Sequence, residues 1–116
     1  MFDGTVVHGD GVAKMFGFPT ANLALSGKDI GMVDGVYAAI STVQGESFDS
    51  ALIISRGGTK VEIHLLDQDM GLYGEGVSVE PLAFISPIVR CDTSAQLQSA
   101  VLFAIEKVRS FFVCQR

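Results

Sequence analysis

Cysteine and charge are both scarce in this sequence, and each scarcity closes off a class of protein. The two cysteines, Cys91 and Cys114, are widely separated and fall in no C-x-x-C or Cys/His ligand spacing. Neither a disulfide framework nor a zinc site is therefore written into the chain, and both are expected as free thiols in a reducing compartment. His8 and His64 complete no metal motif with them. There is no basic excess: the formal net charge is −5, the opposite of the footprint that nucleic acid or an anionic membrane requires. Any anionic ligand must be held locally, by backbone amides, one or two cationic side chains or a bound metal. No stretch approaches the length of a membrane span, and Met1-Phe2-Asp3-Gly4 shows no basic region followed by an apolar run. A cytoplasmic monomer with neither nucleic-acid nor membrane partners is expected.

Charged residues make up 18% of the chain against 48% hydrophobic, with no long charge block, which excludes disorder. At 116 residues the expectation is one domain spanning 1–116, large enough to fold without disulfides. Long helical patterns are missing before residue 93, while Gly recurs through the first three-quarters. That combination predicts short strands joined by tight turns. Thr5-Val6-Val7-His8, Leu23-Ala24-Leu25, 35–43, 48–54, 60–67 and 76–85 are the strand candidates. Gln44-Gly45-Glu46 and Arg56-Gly57-Gly58-Thr59 supply turns, as do Gly9-Asp10-Gly11 and Ser26-Gly27-Lys28-Asp29. In Lys60-Val61-Glu62-Ile63-His64-Leu65, the cleanest alternation, Val61, Ile63 and Leu65 share one face and Glu62 and His64 the other. Pro81 should mark an edge or a break in the last strand.

One convincing helix lies at the end. Thr93 followed by Gln96 has capping-box spacing, and Leu97, Val101, Ala104, Ile105, Val108 and Phe112 recur at three and four residues. About six short strands with hairpin-length connections and one amphipathic helix predict a mainly β fold, a small closed barrel packed by that helix.

The chemistry concentrates in Gly17-Phe18-Pro19-Thr20-Ala21-Asn22-Leu23. Pro19 fixes its own φ and biases Phe18 toward extended geometry. If the extension continues, Thr20 and Asn22 point to one face. A hydroxyl and a carboxamide oxygen side by side suit a hard cation that also holds phosphate oxygens, as Mg²⁺ does on a nucleotide. The plainer alternative is a turn before an edge strand, with Thr20 and Asn22 satisfying local backbone groups. Glu62 is the candidate base, since a positioned carboxylate accepts a hydroxyl proton as that oxygen attacks phosphorus; otherwise it is a solvated strand residue. His64 either orients Glu62 or is an ordinary surface residue. Gly9, Gly11 and Lys14 could form a phosphate-covering loop, although it is neither a Walker A loop nor a dinucleotide fingerprint. Arg56 and Arg90 are further cations. Tyr73, beside Gly74, either stacks on a planar ring or plugs the barrel, the second being the simpler expectation. Asp67 and Asp69 read as turn caps.

Taken together these residues resemble the riboflavin kinase (flavokinase) family, the domain also found at the C-terminus of bifunctional bacterial FAD synthetases. The likeness is ordered along nearly the whole chain. It runs from Gly4-x-Val6-Val7-His8-Gly9-Asp10-Gly11, Lys14 and 17–23, through Gly35-Val36-Tyr37-Ala38 and Val61-Glu62-Ile63-His64-Leu65-Leu66-Asp67, to Leu72-Tyr73-Gly74 and Arg90. The resemblance implies a six-stranded antiparallel Greek-key barrel with a C-terminal helix, and transfer of the ATP γ-phosphoryl group to the ribityl 5′-hydroxyl of riboflavin, giving FMN and ADP. By matching position, Thr20 and Asn22 would hold Mg²⁺ and nucleotide phosphates, and Glu62 would activate the hydroxyl. Gly9, Gly11, Lys14 and Pro19 would belong to the nucleotide site, and Arg90, Leu72 and Tyr73 to the flavin site.

The departures from the family pattern fall in loops. Ile54-Ser55-Arg56-Gly57-Gly58-Thr59 replaces an Asn-x-Gly and Pro-Thr-Phe segment. Ala13, Lys14 and Phe16 stand where a glycine, an arginine and a leucine are usual, and Asp92-Thr93-Ser94 follows Arg90 where a phenylalanine is expected. These changes leave a second expectation, a diverged flavin- or nucleotide-binding barrel without efficient transfer. With no nucleotidyltransferase segment in the sequence, the chain alone is expected to make FMN and not FAD.

Overall fold

Residues 1–7, 20–25, 30–68, 71–88 and 92–115 are described by a computed structural model, with no side-chain account of Ser94, Leu97 and Gln98. The strands are β1 (Phe2–Val7), β2 (Ala21–Leu25), β3 (Gly35–Val43), β4 (Glu46–Ser55), β5 (Lys60–Leu65) and β6 (Gly76–Ser86), followed by α1 (Ser94–Gln115). They close into an antiparallel barrel in the order β1-β2-β5-β4-β3-β6. Three hairpin-connected strands, β3, β4 and β5, are followed by β6, which returns beside β3. This is the Greek-key arrangement expected from the resemblance.

Local chemistry accounts for several joints. The β3–β4 hairpin turns through Gln44 (φ 53°) and Gly45 (φ 78°), the two left-handed positions of a type I′ turn, whose twist matches the flanking strands. β1 starts at Phe2, earlier than the β-formers at Thr5 predict, because Phe2–Thr5 pair with Val79–Gly76 of β6. Cross-strand pairing there overrides the weak propensity of Asp3-Gly4. Pro81 behaves as expected: it pairs with Ala39 at a register irregularity, beyond the stretch of β6 that β1 covers. The missing amide therefore interrupts no central ladder. The expected turns at 9–11 and 26–29 lie outside the described residues, as does Cys91; Cys114 is a free, exposed thiol.

Two apolar clusters hold the fold. The barrel lumen contains Val6, Leu23, Tyr37, Leu52, Ile54, Val61, Ile63, Leu65 and Val79, so the alternation in β5 sorts as predicted. Ser41 and Ser50 are also fully buried. Ser41 donates to Ser50 (2.8 Å), whose own proton goes to the Ala39 carbonyl (2.9 Å), so the pair carries no desolvation debt. The second cluster lies outside the barrel wall. Ala104, Ile105, Val108 and Phe112 of α1 pack on Val36, Ala38, Ala51 and Leu66, and the small side chains of Ala38 and Ala51 let the helix approach the sheet closely. The helix begins at Thr93, whose hydroxyl accepts from the Gln96 amide (3.1 Å), while the Gln96 side chain accepts from the amide of Asp92 (2.8 Å). The reciprocal cap is shifted by one residue from the simplest capping box. No helix among the described residues is long and apolar enough to cross a membrane.

Tyr37 is a lumen residue with a titratable group. Its ring meets Phe84 edge-on at 5.3 Å, and its hydroxyl donates to the Val33 carbonyl at 2.7 Å. Burial, and secondarily the charge of Asp34, raises its pKa above 10.0. A raised folded-state value means that this stabilisation is complete below about pH 10 and is lost as pH rises through the folded value. Urea titrations of Tyr37→Phe at neutral and alkaline pH should show about 1 kcal/mol lost at neutrality and a shallower alkaline decline than the wild type. An equally steep decline would remove Tyr37 as its cause.

Candidate active site

Strands β2 and β5 lie side by side with Ala21 opposite Ile63 and Asn22 opposite Glu62. Opposed residues of an antiparallel pair project to the same face. Ile63 points into the lumen, so Asn22 and Glu62 occupy the outer face together. Thr20, one residue before β2, reaches the same place: its hydroxyl donates to Oε2 of Glu62 at 3.0 Å across 42 positions of sequence. The direction of that bond matters. The Thr20 proton is committed to the carboxylate, so the oxygen lone pairs are turned away from it, as a hydroxyl must present them to a cation.

A magnesium ion fits this donor set. Among the described residues no three His, Cys, Asp or Glu side chains cluster as a cage, and a small hard cation shared with phosphates needs none. It takes one or two protein oxygens and completes its octahedron with phosphate and water. Thr20 and Asn22 would hold it, beside the Glu62 carboxylate.

Two features of this face escaped the sequence reading. Lys60 lies two residues before Glu62 on β5, and its ammonium forms an ion pair with Oε1 of Glu62 at 3.7 Å, with side-chain exposures of 19% and 12%. The i, i+2 spacing on an alternating strand was the signal that could have found it. The second feature is the turn entering β5. Arg56, Gly57 and Gly58 have φ of 56°, 67° and 85°, a left-handed run that gathers successive amides into a concavity for an anion. Asp34 fills it, its two carboxylate oxygens accepting from the amides of Gly57 and Gly58 at 2.9 Å each. This turn is the segment that departs from the family pattern, and Asp34 ties it to the start of β3. The carboxylate stands 23 residues away, so no local signal announced it.

Other expected residues fall differently. His64 is not an ordinary surface residue. It is buried, at 6% exposure, and stands opposite Ala51, which belongs to the cluster under α1. The plug expected of Tyr73 is supplied by its neighbour. Leu72 is buried in the barrel core, whereas Tyr73 is 65% exposed. The turn carrying them is docked by backbone bonds from Gly74 to the Val6 carbonyl (3.0 Å) and from Val6 to the Glu75 carbonyl (2.9 Å). That is the end of β1 where Val7 faces Asn22, so Leu72 anchors the turn to that end of the barrel and Tyr73 is exposed there. Asp67 pairs with Arg109 of α1 (2.8 Å), an exposed contact that contributes little. Gly9, Gly11, Lys14, Pro19 and Arg90 lie outside the described residues.

Known proteins resemble this chain in sequence and in fold. The chain is 28% identical over 116 residues to the bifunctional riboflavin kinase/FMN adenylyltransferase of Haemophilus influenzae, a match covering 94% of this chain and 37% of that protein. The corresponding Escherichia coli K12 protein is 36% identical over 83 residues, covering 66% of this chain and 26% of the relative. Among solved structures, a Streptococcus pneumoniae protein described as a macrolide-efflux protein superposes with a TM-score of 0.84 at 28% identity, over 93% of this chain and 38% of its own. The chain thus spans less than two-fifths of the length of each of these proteins. The model of the family described as riboflavin kinase matches residues 1–112, and the chain belongs to the riboflavin kinase (flavokinase) family.

Proposed function

We propose that this chain transfers the γ-phosphoryl group of ATP to the 5′-hydroxyl of riboflavin, forming FMN and ADP. The observation that carries the reading is the meeting of Thr20, Asn22 and Glu62 on one outer face of the barrel, with 3.0 Å between the Thr20 hydroxyl and the Glu62 carboxylate. Phosphoryl transfer asks little covalent chemistry of a protein. It needs charge neutralisation, in-line positioning and a group to receive the hydroxyl proton. Magnesium, when bound, would neutralise phosphate charge and draw electron density from the transferring group.

The chain's own residues do the rest. Thr20 and Asn22 supply neutral oxygens on the phosphate side of the site. Glu62 receives the proton of the riboflavin 5′-hydroxyl as that oxygen forms its bond to the γ-phosphorus. The bond from phosphorus to the β,γ-bridging oxygen breaks, ADP leaves with that electron pair, and the proton on Glu62 passes to solvent. The Thr20 hydrogen bond holds the carboxylate so that only one of its oxygens has to meet substrate. Gly9, Gly11, Lys14 and Pro19 are assigned to the nucleotide, and Arg90 and the displayed Tyr73 to the flavin, with Leu72 as the anchor of that turn.

The test is direct. Purified protein incubated with riboflavin, ATP and magnesium should yield FMN and ADP in equal amounts by chromatography, and chelation of the metal should stop both. No FMN above background across several divalent metals and nucleotides would overturn the proposal. Flavin fluorescence quenching without turnover would then point to the diverged binding barrel.

A further inference from the structure

We propose that Lys60 is a further positioning residue of this site, acting through Glu62; the inference rests on the kinase reading above. The two oxygens of the Glu62 carboxylate are divided between partners. Oε2 accepts from Thr20 at 3.0 Å, and Oε1 faces the Lys60 ammonium at 3.7 Å. A carboxylate held at one oxygen can still swing about its remaining torsions. The Lys60 ammonium, at 3.7 Å an ion-pair partner rather than a hydrogen-bond donor, pulls electrostatically on the second oxygen, which narrows the orientations the carboxylate samples and leaves that oxygen open to the substrate proton.

Charge points the same way. The polyphosphate of ATP must approach a site that already carries the anion it needs as a base. An ammonium on the same strand face offsets that repulsion, and the low exposure of both side chains keeps the pair from being screened as a surface pair would be. The backbone beneath Lys60 is itself fixed. Lys60 pairs with Ser55 across the β4–β5 ladder, and the turn joining them is closed by the Thr59 hydroxyl on the Arg56 carbonyl (2.7 Å) and by Asp34 on the Gly57 and Gly58 amides. This turn is where the chain leaves the family pattern. Its short form delivers Lys60 directly onto the face of the base.

The test uses Lys60→Met, which keeps the stem and removes the charge, and Lys60→Arg, which keeps the charge. FMN formation is measured under saturating ATP and riboflavin, alongside thermal melting of each variant. Lys60→Met should lower kcat roughly 10- to 100-fold, with the KM for riboflavin within about twofold of wild type, since Lys60 is not assigned to the flavin. Lys60→Arg should recover most of the lost kcat. In single-turnover reactions with excess enzyme, Lys60→Met should add little to the loss already caused by Glu62→Gln, because its effect runs through that carboxylate. Wild-type activity with an unimpaired Lys60→Met variant, a loss that only follows melting temperature, or a loss fully additive with Glu62→Gln would each overturn the role of Lys60 while leaving the kinase reading standing. A wild-type protein that makes no FMN overturns both.

Discussion

Glu62→Gln protein is expected to fold normally and to form FMN about 10²–10⁴ times more slowly than the wild type. The substitution preserves side-chain length, and the amide oxygen can still accept the Thr20 proton, so the outer face of β2 and β5 keeps its shape. The amide has no basicity to receive the riboflavin hydroxyl proton. The loss should therefore appear in kcat, with substrate affinities little changed, because the removed function operates only as the new oxygen–phosphorus bond forms. Single-turnover FMN formation, with a thermal melt to establish folding, measures both sides. A variant with more than about a tenth of wild-type kcat would show that Glu62 is not the base and that the hydroxyl proton leaves by another route.

Leu52→Ala is expected to have the largest effect on stability, about 2–5 kcal/mol, without direct effect on the site. Leu52 is fully buried at the middle of β4. It stands between Tyr37 of β3 and Ile63 of β5, so truncation opens a hole in the lumen where three strands meet. A closed barrel has little freedom to collapse into such a hole, because moving one strand inward breaks ladder bonds on both sides. For a chain this size the loss corresponds to a melting temperature lower by roughly 10 °C or more, readable by circular dichroism. At temperatures where the variant is still folded, kcat should stay close to wild type, since Glu62 points to the opposite face of β5. A change of less than about 1 kcal/mol would mean that the lumen repacks around alanine.

Much of the fold was legible because it rests on local patterns. The two-residue period of Val61, Ile63 and Leu65 identified the lumen face of β5, the Gln44-Gly45 pair marked the hairpin, and Thr93 with Gln96 located the helix start. Each of these depends on residues a few positions apart, and the structure agrees. The same local rules misplaced His64 and Tyr73. Alternation puts His64 on the outer face but does not say whether that face is covered, and the position is buried, opposite Ala51 of the wall that α1 packs on. Leu72 and Tyr73 are neighbours in a turn, and local composition does not decide which of the two turns inward.

The site divides along the same line. Residue type and spacing in 17–23, and the ordered resemblance along the chain, named Thr20, Asn22 and Glu62 as candidates and offered phosphoryl transfer as their chemistry. Their meeting across β2 and β5, the sharing of the Glu62 carboxylate between Thr20 and Lys60, and the capture of the Gly57 and Gly58 amides by Asp34 were decided by tertiary structure alone. The physical reason is range. Side-chain alternation and turn chemistry act within a few residues, whereas a carboxylate finds its partners only after barrel closure has brought together segments dozens of positions apart.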